Sequence, residues 1–128
     1  GSDLRIGNKN LKYGYGYGGP CFPRDNRAFA LYAGDVNINA VISKASDEAN
    51  QLHLQYQVEE FMKNNDQSKQ IVFSGLSYKT GTTIIEESQK LALAVELAGK
   101  GYRILIQDDQ EVLKQIQSIY GDLFKYQE

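Results

Sequence analysis

The sequence contains very little cysteine, proline or histidine: its 128 residues include one cysteine, two prolines and one histidine. A single cysteine excludes an intramolecular disulfide and is typical of a reducing compartment, so we expect a cytoplasmic protein. The one histidine, His53, has no second histidine with which to share a metal ion, so we expect a helix residue without metal chemistry.

Long apolar runs and an excess of one charge are missing as well. No apolar run approaches the roughly 18 residues that a membrane-spanning helix needs, and no signal-peptide pattern is present. The formal net charge of −2 and the pI near 5.4 argue against nucleic acid or an anionic membrane as a partner. A chain of this length can hold one modest domain or two small ones.

The most concentrated signal is a glycine-rich run that leads to the one cysteine, Cys21, with both prolines beside it. Glycines have no Cβ and permit positive φ, so the peptide N–H groups of such a run can come close to a bound group. The glycines of this run are Gly14, Gly16, Gly18 and Gly19. We therefore expect a loop that holds a ligand near a thiol.

The residues after Cys21 predict a helix. Pro23 suits the first helical position, where a missing N–H costs nothing, and apolar residues follow at helical spacing. Cys21 would then lie just ahead of a helix N-terminus, where the partial positive charge and the nearby Arg24 favour a thiolate. The alternative is a glycine loop followed by a buried, inert cysteine.

A long helix is predicted from about Asn37, over roughly 27 residues and 40 Å. Its apolar residues recur at alternating steps of four and three, which is a heptad seam. The seam consists of Ile38, Ile42, Ala45, Ala49, Leu52 and Tyr56, and the stripe is widened by Val41, Val58, Phe61 and Met62. We expect this helix to pack against a second copy of itself or against another domain, rather than to be a solvated helix with a narrow apolar face.

A polar break over residues 64–69 favours a domain boundary, with domains at 1–66 and 67–128. The second part predicts a buried strand at 71–76, a helix at 87–100 closed by Gly101, a strand at 102–107 and a terminal helix from about residue 110. This order indicates a parallel βαβ unit. The long connection at 77–86 follows a strand, where α/β folds bind ligands, and Lys79 is its candidate anion ligand.

Several segments together resemble the UDP-glucose/GDP-mannose dehydrogenase family, and most closely its UDP-glucose 6-dehydrogenases. The family's active-site signature, Gly-aromatic-Gly-Gly-x-Cys-x-Pro-Lys-Asp, is similar to Gly16-Tyr17-Gly18-Gly19-Pro20-Cys21-Phe22-Pro23-Arg24-Asp25. The segment Asp3-Leu4-Arg5-Ile6-Gly7 resembles the motif that precedes that signature. Gly75-Leu76-Ser77-Tyr78-Lys79, with Glu87-Ser88, resembles a motif of the family's third domain.

The resemblance implies an α/β fold: a helical central dimerisation domain with one long helix, followed by a partial Rossmann-like parallel βαβ unit. It also implies NAD-dependent oxidation of the C6 alcohol of UDP-glucose to a carboxylate. Cys21 would capture the intermediate aldehyde as a thiohemiacetal, which is oxidised to a thioester and hydrolysed. A homodimer would form through the helix around residues 37–63.

The same resemblance assigns roles to individual residues. Cys21 would be the nucleophile, Asp25 would position or activate water, and Arg24 would contact the cofactor in place of the family's lysine. The substrate-binding residues would be Arg5, Tyr15, Gly16, Tyr17, Gly18, Gly19 and Lys79. The nucleotide-sugar would be the small-molecule partner, in a pathway such as surface polysaccharide synthesis.

Two departures from the family pattern bear on function. The NAD-binding domain that precedes these motifs in the family has no counterpart in this sequence, and Glu86 stands where the family has a cofactor-binding arginine. We therefore expect a catalytically silent fragment of the enzyme. The alternatives are a non-catalytic nucleotide-sugar-binding or assembly module, and a structural dimer domain whose cysteine is vestigial.

Overall fold

The computed structural model consists of two helices followed by a small parallel α/β unit. It describes residues 3–4 and 14–128, so Arg5 and its motif lie outside the described residues. The elements in chain order are α1 (Phe22–Asp35), α2 (Val41–Asn64), β1 (Gln70–Ser74), α3 (Gln89–Gly99), β2 (Arg103–Gln107), α4 (Gln110–Tyr120), a 3₁₀ turn (Gly121–Leu123) and β3 (Lys125–Gln127). Among the described residues, no helix is both long and apolar enough to cross a membrane.

Helix α1 begins at Phe22, so Pro23 occupies the second helical position and not the first. This difference changes little, because the first four N–H groups of a helix have no partner inside it. Cys21 is the N-cap residue, which confirms the expectation that it lies at a helix N-terminus.

Helix α2 begins at Val41, later than the predicted start at Asn37. Asn37 has φ +60°, and its N–H donates to Gly34 O at 3.0 Å. The N–H of Ile38 donates to Ala33 O at 2.7 Å. These bonds satisfy the last carbonyls of α1, so residues 37 and 38 end one helix and do not start the next.

Helix α2 has two different sides. Ser43, Asn50 and Val58 are buried on the side that packs against α1 and α3. The predicted seam lies on the other side and is exposed in the single chain; Ile42, for example, is 83% exposed. Val58 and Phe61 pack in the core, so the prediction that they widen the seam was wrong.

Strands β1 and β2 pair in parallel, with α3 as the connection between them, which confirms the predicted βαβ unit. The prediction of a buried first strand was wrong in part. Only Phe73 of β1 is buried, and Val72 is 53% exposed, because β1 lies at the edge of the β1-β2-β3 sheet. Strand β3, parallel to β2, was not predicted, since its three residues carry no apolar alternation.

The core lies between the sheet and helices α3 and α4, and it extends to α2. Tyr102 joins the two parts of the chain, because its ring meets Phe61 edge-on at 5.7 Å and its hydroxyl donates to Asn65 O at 2.7 Å. Each fully buried Leu, Ile or Val side chain of this core stabilises the fold by about 1.5–3 kcal/mol. The largest fully buried side chains are Leu76, Leu97, Ile106, Ile116, Val112 and Pro23.

Candidate functional site

The glycine-rich loop at residues 14–21 lies between α2 and the connection 75–88 that follows β1. From α2, Asn50 Nδ2 donates to Tyr17 O at 2.9 Å, and His53 Nε2 lies 2.7 Å from Gly14 O. From the connection, Glu87 O accepts from Gly19 N at 3.4 Å. The loop is therefore held on both sides by the chain itself.

The glycines of this loop make room for other parts of the protein. A Cβ at Gly16 would overlap the side-chain oxygen of Asn50, and one at Gly18 would overlap the carbonyl oxygen of Glu87. Gly19 has φ +88° and lies against the Tyr78 ring. The protein's own atoms therefore leave no room for a Cβ at these three positions. That the peptide groups of this loop contact a bound group stays a prediction.

A cleft of about 220 Å³ opens beside this loop, at the carboxyl end of β1. It brings together four of the predicted substrate-binding residues from two distant parts of the sequence. These are Tyr15, Gly16, Gly18 and Lys79. The other predicted site residues of the described chain do not line it: Tyr17, Gly19, Cys21, Arg24 and Asp25.

Two lysines give the cleft a positive wall. Lys79 Nζ lies 5.4 Å from the centre of the Tyr78 ring, and Lys90 Nζ lies 5.8 Å from that of Tyr15. Lys90 also donates to Ser74 O at 2.8 Å. Burial raises the pKa of the Tyr15 hydroxyl, so it stays protonated at neutral pH and can donate a hydrogen bond. Ammonium groups and a phenol together suit an anionic ligand.

Cys21 is exposed at the start of α1, and its side chain makes no capping hydrogen bond. The Arg24 guanidinium donates to Asp25 Oδ1 at 2.8 Å, and this hydrogen bond raises the pKa of Arg24. The nearest cation in sequence to the thiol is therefore already paired with a carboxylate. Cys21, Arg24 and Asp25 form one exposed group on the first turn of the helix.

A charged cluster that sequence reasoning missed ties α1 to both neighbouring elements. Arg27 Nε donates to Asp47 Oδ1 at 3.0 Å, and Arg27 Nη1 donates to Glu87 Oε1 at 2.7 Å. The hydrogen bond to Glu87, followed by the charges of both carboxylates, raises the pKa of Arg27. The Tyr17 hydroxyl is buried beside this cluster, with no hydrogen-bond partner in the described part of the chain. Burial, followed by the charge of Asp47, raises its pKa.

One signal in the sequence could have revealed this cluster. Polar residues recur along α2 at steps of four and three, at Ser43, Asp47 and Asn50, on the side that is buried. Polar residues at that spacing in a buried helix face need partners. Here they find them in Asn26, Arg27 and the glycine loop.

Metal binding finds no support in the geometry of the described segments. Within residues 3–4 and 14–128, no three His, Cys, Asp or Glu side chains come together in a group that could hold a metal ion. His53, the one histidine, contacts the backbone of Gly14.

The sequence and the structure of this chain are similar to those of known sugar-nucleotide dehydrogenases. Residues 1–52 match the UDP-glucose/GDP-mannose dehydrogenase family, central domain. GDP-mannose 6-dehydrogenase from Pseudomonas putida is 31% identical over 106 residues, which are 83% of this chain and 24% of that protein. UDP-glucose 6-dehydrogenase from Bacillus subtilis is 34% identical over 110 residues, 84% of this chain and 25% of that protein.

Solved structures of dehydrogenases show the same similarity. A UDP-glucose dehydrogenase from Pyrobaculum islandicum superposes with a TM-score of 0.79 at 27% identity, covering 88% of this chain and 26% of that one. A GDP-mannose dehydrogenase from Pseudomonas aeruginosa, in a ternary complex, gives 0.75 at 25% identity, covering 97% and 30%. The chain thus spans about a quarter of the length of the curated relatives it matches.

The packing of the glycine loop predicts opposite effects for two glycine-to-alanine changes. Gly18→Ala places a Cβ against the backbone carbonyl of Glu87, which cannot rotate away, so we expect a loss of about 1–3 kcal/mol. Gly34→Ala lies in α1 with open space around it and should gain about 0.5–1 kcal/mol. Urea unfolding followed by circular dichroism measures both. Equal stability of the two variants would contradict the loop geometry.

Proposed function

We propose that this chain, which belongs to the UDP-glucose/GDP-mannose dehydrogenase family, is part of an NAD-dependent UDP-glucose 6-dehydrogenase in which Cys21 is the nucleophile. The observation that carries the proposal is the position of the thiol. Cys21 is exposed at the end of the same loop whose earlier residues Tyr15, Gly16 and Gly18 line the lysine-bearing cleft. A group held in that cleft and a nucleophile are thus joined by a few residues of well-anchored backbone.

The cleft binds the charged part of the substrate. Its volume of about 220 Å³ lies below the roughly 300–1,000 Å³ of pockets that enclose a whole ligand of drug size. That volume suits a diphosphate or a hexose and not an entire nucleotide-sugar. Lys79 and Lys90 supply the positive charge for the phosphates, and Tyr15 supplies a neutral hydroxyl donor. The rest of the substrate is bound by other parts of the full-length enzyme.

Cys21 captures the aldehyde that forms after the first oxidation at C6. The Cys21 sulfur donates an electron pair to the aldehyde carbon and a C–S bond forms while the π bond of the carbonyl breaks. The oxygen takes up the proton that the thiol releases, which gives a thiohemiacetal. Covalent capture keeps the reactive aldehyde on the protein. We assign the activation of the water that later releases the carboxylate to Asp25, which lies in the first turn of the same helix.

NAD does not fit the residues that the structure describes. The guanidinium of Arg24, the predicted cofactor contact, is already paired with Asp25. The exposed Glu86 carboxylate would repel a pyrophosphate. The oxidation steps therefore need parts of the enzyme outside this chain, and the chain by itself is catalytically inactive.

A second candidate function is a non-catalytic nucleotide-sugar-binding or dimerisation module. The observation in its favour is Glu86, an acidic side chain on the loop that borders the cleft. Such a module would keep the cleft and the helix seam but would not need a reactive thiol. Both functions therefore require Lys79 for ligand binding, but only the enzyme requires a reactive thiol at Cys21.

Binding of UDP-glucose tests both candidates. We expect saturation transfer from the wild-type chain to millimolar UDP-glucose. Lys79→Gln should weaken binding about tenfold or more, since a hydrogen bond to a charged group contributes about 1.5–3 kcal/mol. Lys69→Gln, at an exposed lysine outside the cleft, is the matched control and should leave the signal unchanged. Absence of transfer from the wild-type chain to UDP-glucose would exclude the cleft as a site for this ligand.

The reactivity of Cys21 separates the enzyme from the binding module. UDP-glucose carrying a ¹³C-labelled aldehyde at C6 should give a new tetrahedral ¹³C signal with the wild-type chain, as the thiohemiacetal forms. Cys21→Ser should lose this signal while keeping saturation transfer to UDP-glucose. A wild-type chain that binds the ligand without forming the adduct would favour the module.

A homodimer forms through the exposed seam of α2, around residues 37–63. The seam leaves large apolar side chains in water, Ile42, Leu52 and Tyr56 among them, and a second copy would cover them. Ile42→Glu places a charge in the seam, whereas Ile119→Glu places one at an exposed isoleucine of α4, outside it. Sedimentation velocity at micromolar protein should show a dimer for the wild type and for Ile119→Glu, and a monomer for Ile42→Glu. A monomeric wild type would contradict the proposal.

A further inference from the structure

We infer that Glu87 is a positioning residue that fixes the cysteine-bearing helix relative to the lysine-lined cleft. The inference rests on the proposed function, since this relative position matters for catalysis only if Cys21 acts on a group held in the cleft. Glu87 is half-buried and lies just before α3, outside the cleft lining itself. Its effect must therefore pass through the residues that it contacts.

The backbone of Glu87 adopts an unfavourable conformation, with φ +52°. Non-glycine residues keep such a conformation only where their surroundings hold them in it. The other described non-glycine residue with positive φ is Asn37, whose short polar side chain tolerates it. At Glu87 the conformation carries the carbonyl oxygen to the glycine loop, where it accepts from Gly19 N and fills the space beside Gly18.

The carboxylate of Glu87 contacts the helix that carries the thiol. Arg27 donates to it at 2.7 Å, and the same guanidinium donates to Asp47 of α2 at 3.0 Å. Arg27 lies in α1, whose N-cap is Cys21. Since a short helix moves as one body, holding Arg27 in place also sets where Cys21 lies.

The residues that follow Glu87 form one wall of the cleft. Ser88 is buried, caps α3 by accepting from Leu91 N at 3.3 Å, and lines the cleft together with Gln89 and Lys90. One residue thus joins the cleft wall, the glycine loop and the cysteine-bearing helix. Of the two described carboxylates that pair with Arg27, Asp47 and Glu87, only Glu87 is next in sequence to a residue that lines the cleft.

A purely stabilising role explains these contacts less well. The side chains of Arg27 and Glu87 are 42% and 33% exposed, and ion pairs with that much exposure contribute little to stability. The strained backbone also works against stability. A partly exposed ion pair and a strained φ together define a position but contribute little to the folding free energy.

The single cysteine makes this position measurable. A nitroxide label attached to Cys21 in the full chain broadens the amide resonances that lie near it. Labelled, ¹⁵N-enriched chains are diluted into unlabelled chains, so that only effects within one chain are recorded. Glu87→Gly removes both the strain and the carboxylate, Glu87→Gln removes only the charge, and Glu86→Gln is the matched control at the exposed neighbour.

We expect Glu87→Gly to change the label-induced relaxation of the Lys79 and Lys90 amides at least twofold, while its melting temperature stays equal to or above that of the wild type. Glu87→Gln should give a smaller change in the same direction, because its side-chain amide oxygen can still accept a hydrogen bond from Arg27. Glu86→Gln should match the wild type. An unchanged pattern in Glu87→Gly would overturn the inference. So would a lowered melting temperature with lost amide protection in β2, because Glu87 would then only stabilise the fold.

The ligand arm separates this inference from the proposed function. The label experiment needs no ligand, so it reports the position of Cys21 by itself. A wild-type chain that gives the expected label pattern but no saturation transfer to UDP-glucose would count against the proposed substrate and not against Glu87. Binding to the wild type with at least fivefold weaker binding to Glu87→Gly would support both.

Discussion

The close approach of the glycine loop to two other parts of the chain is the contact on which the candidate site depends. Gly16 meets the side chain of Asn50, and Gly18 meets the backbone of Glu87, both without room for a Cβ. Because these contacts leave no free space, a shift of the loop would also move α2 or the connection before α3. The cleft exists because these segments meet here, and Cys21 follows directly from the same loop.

Helix α2 shows how one amphipathic element serves two neighbours. Its buried polar residues, Ser43, Asp47 and Asn50, pair with α1 and the glycine loop, while Val58 further along enters the apolar core. The heptad seam on the other side remains exposed. Contiguous apolar side chains exposed to water mark an interaction surface. The helix that holds the site on one side therefore presents a surface suited to a partner on the other.

The sequence predicts the parts of the fold that are governed by local periodicity. The βαβ unit, the start of α4 at Gln110 and the position of Cys21 at a helix N-terminus all agree with the structure. Strand β3 could not be predicted, because three residues without apolar alternation become a strand only by pairing with β2. The Arg27 cluster was missed for a related reason. The cluster joins residues up to 60 positions apart. From the sequence alone, a charged residue in a helix is assigned to the solvent-exposed side, because its distant partners are not known.

The arrangement of charges decides where an anion can bind. Arg24 and Arg27 both point at carboxylates, Arg24 at Asp25 and Arg27 at Asp47 and Glu87, so their charge is largely neutralised within the chain. The contacts of Lys79 and Lys90 in the described residues are to aromatic rings and a carbonyl oxygen. Such contacts orient an ammonium group but leave its charge uncompensated. Among these four cations, the two lysines therefore keep the charge that the proposed phosphate contact requires, even though the two arginines lie closer in sequence to the thiol.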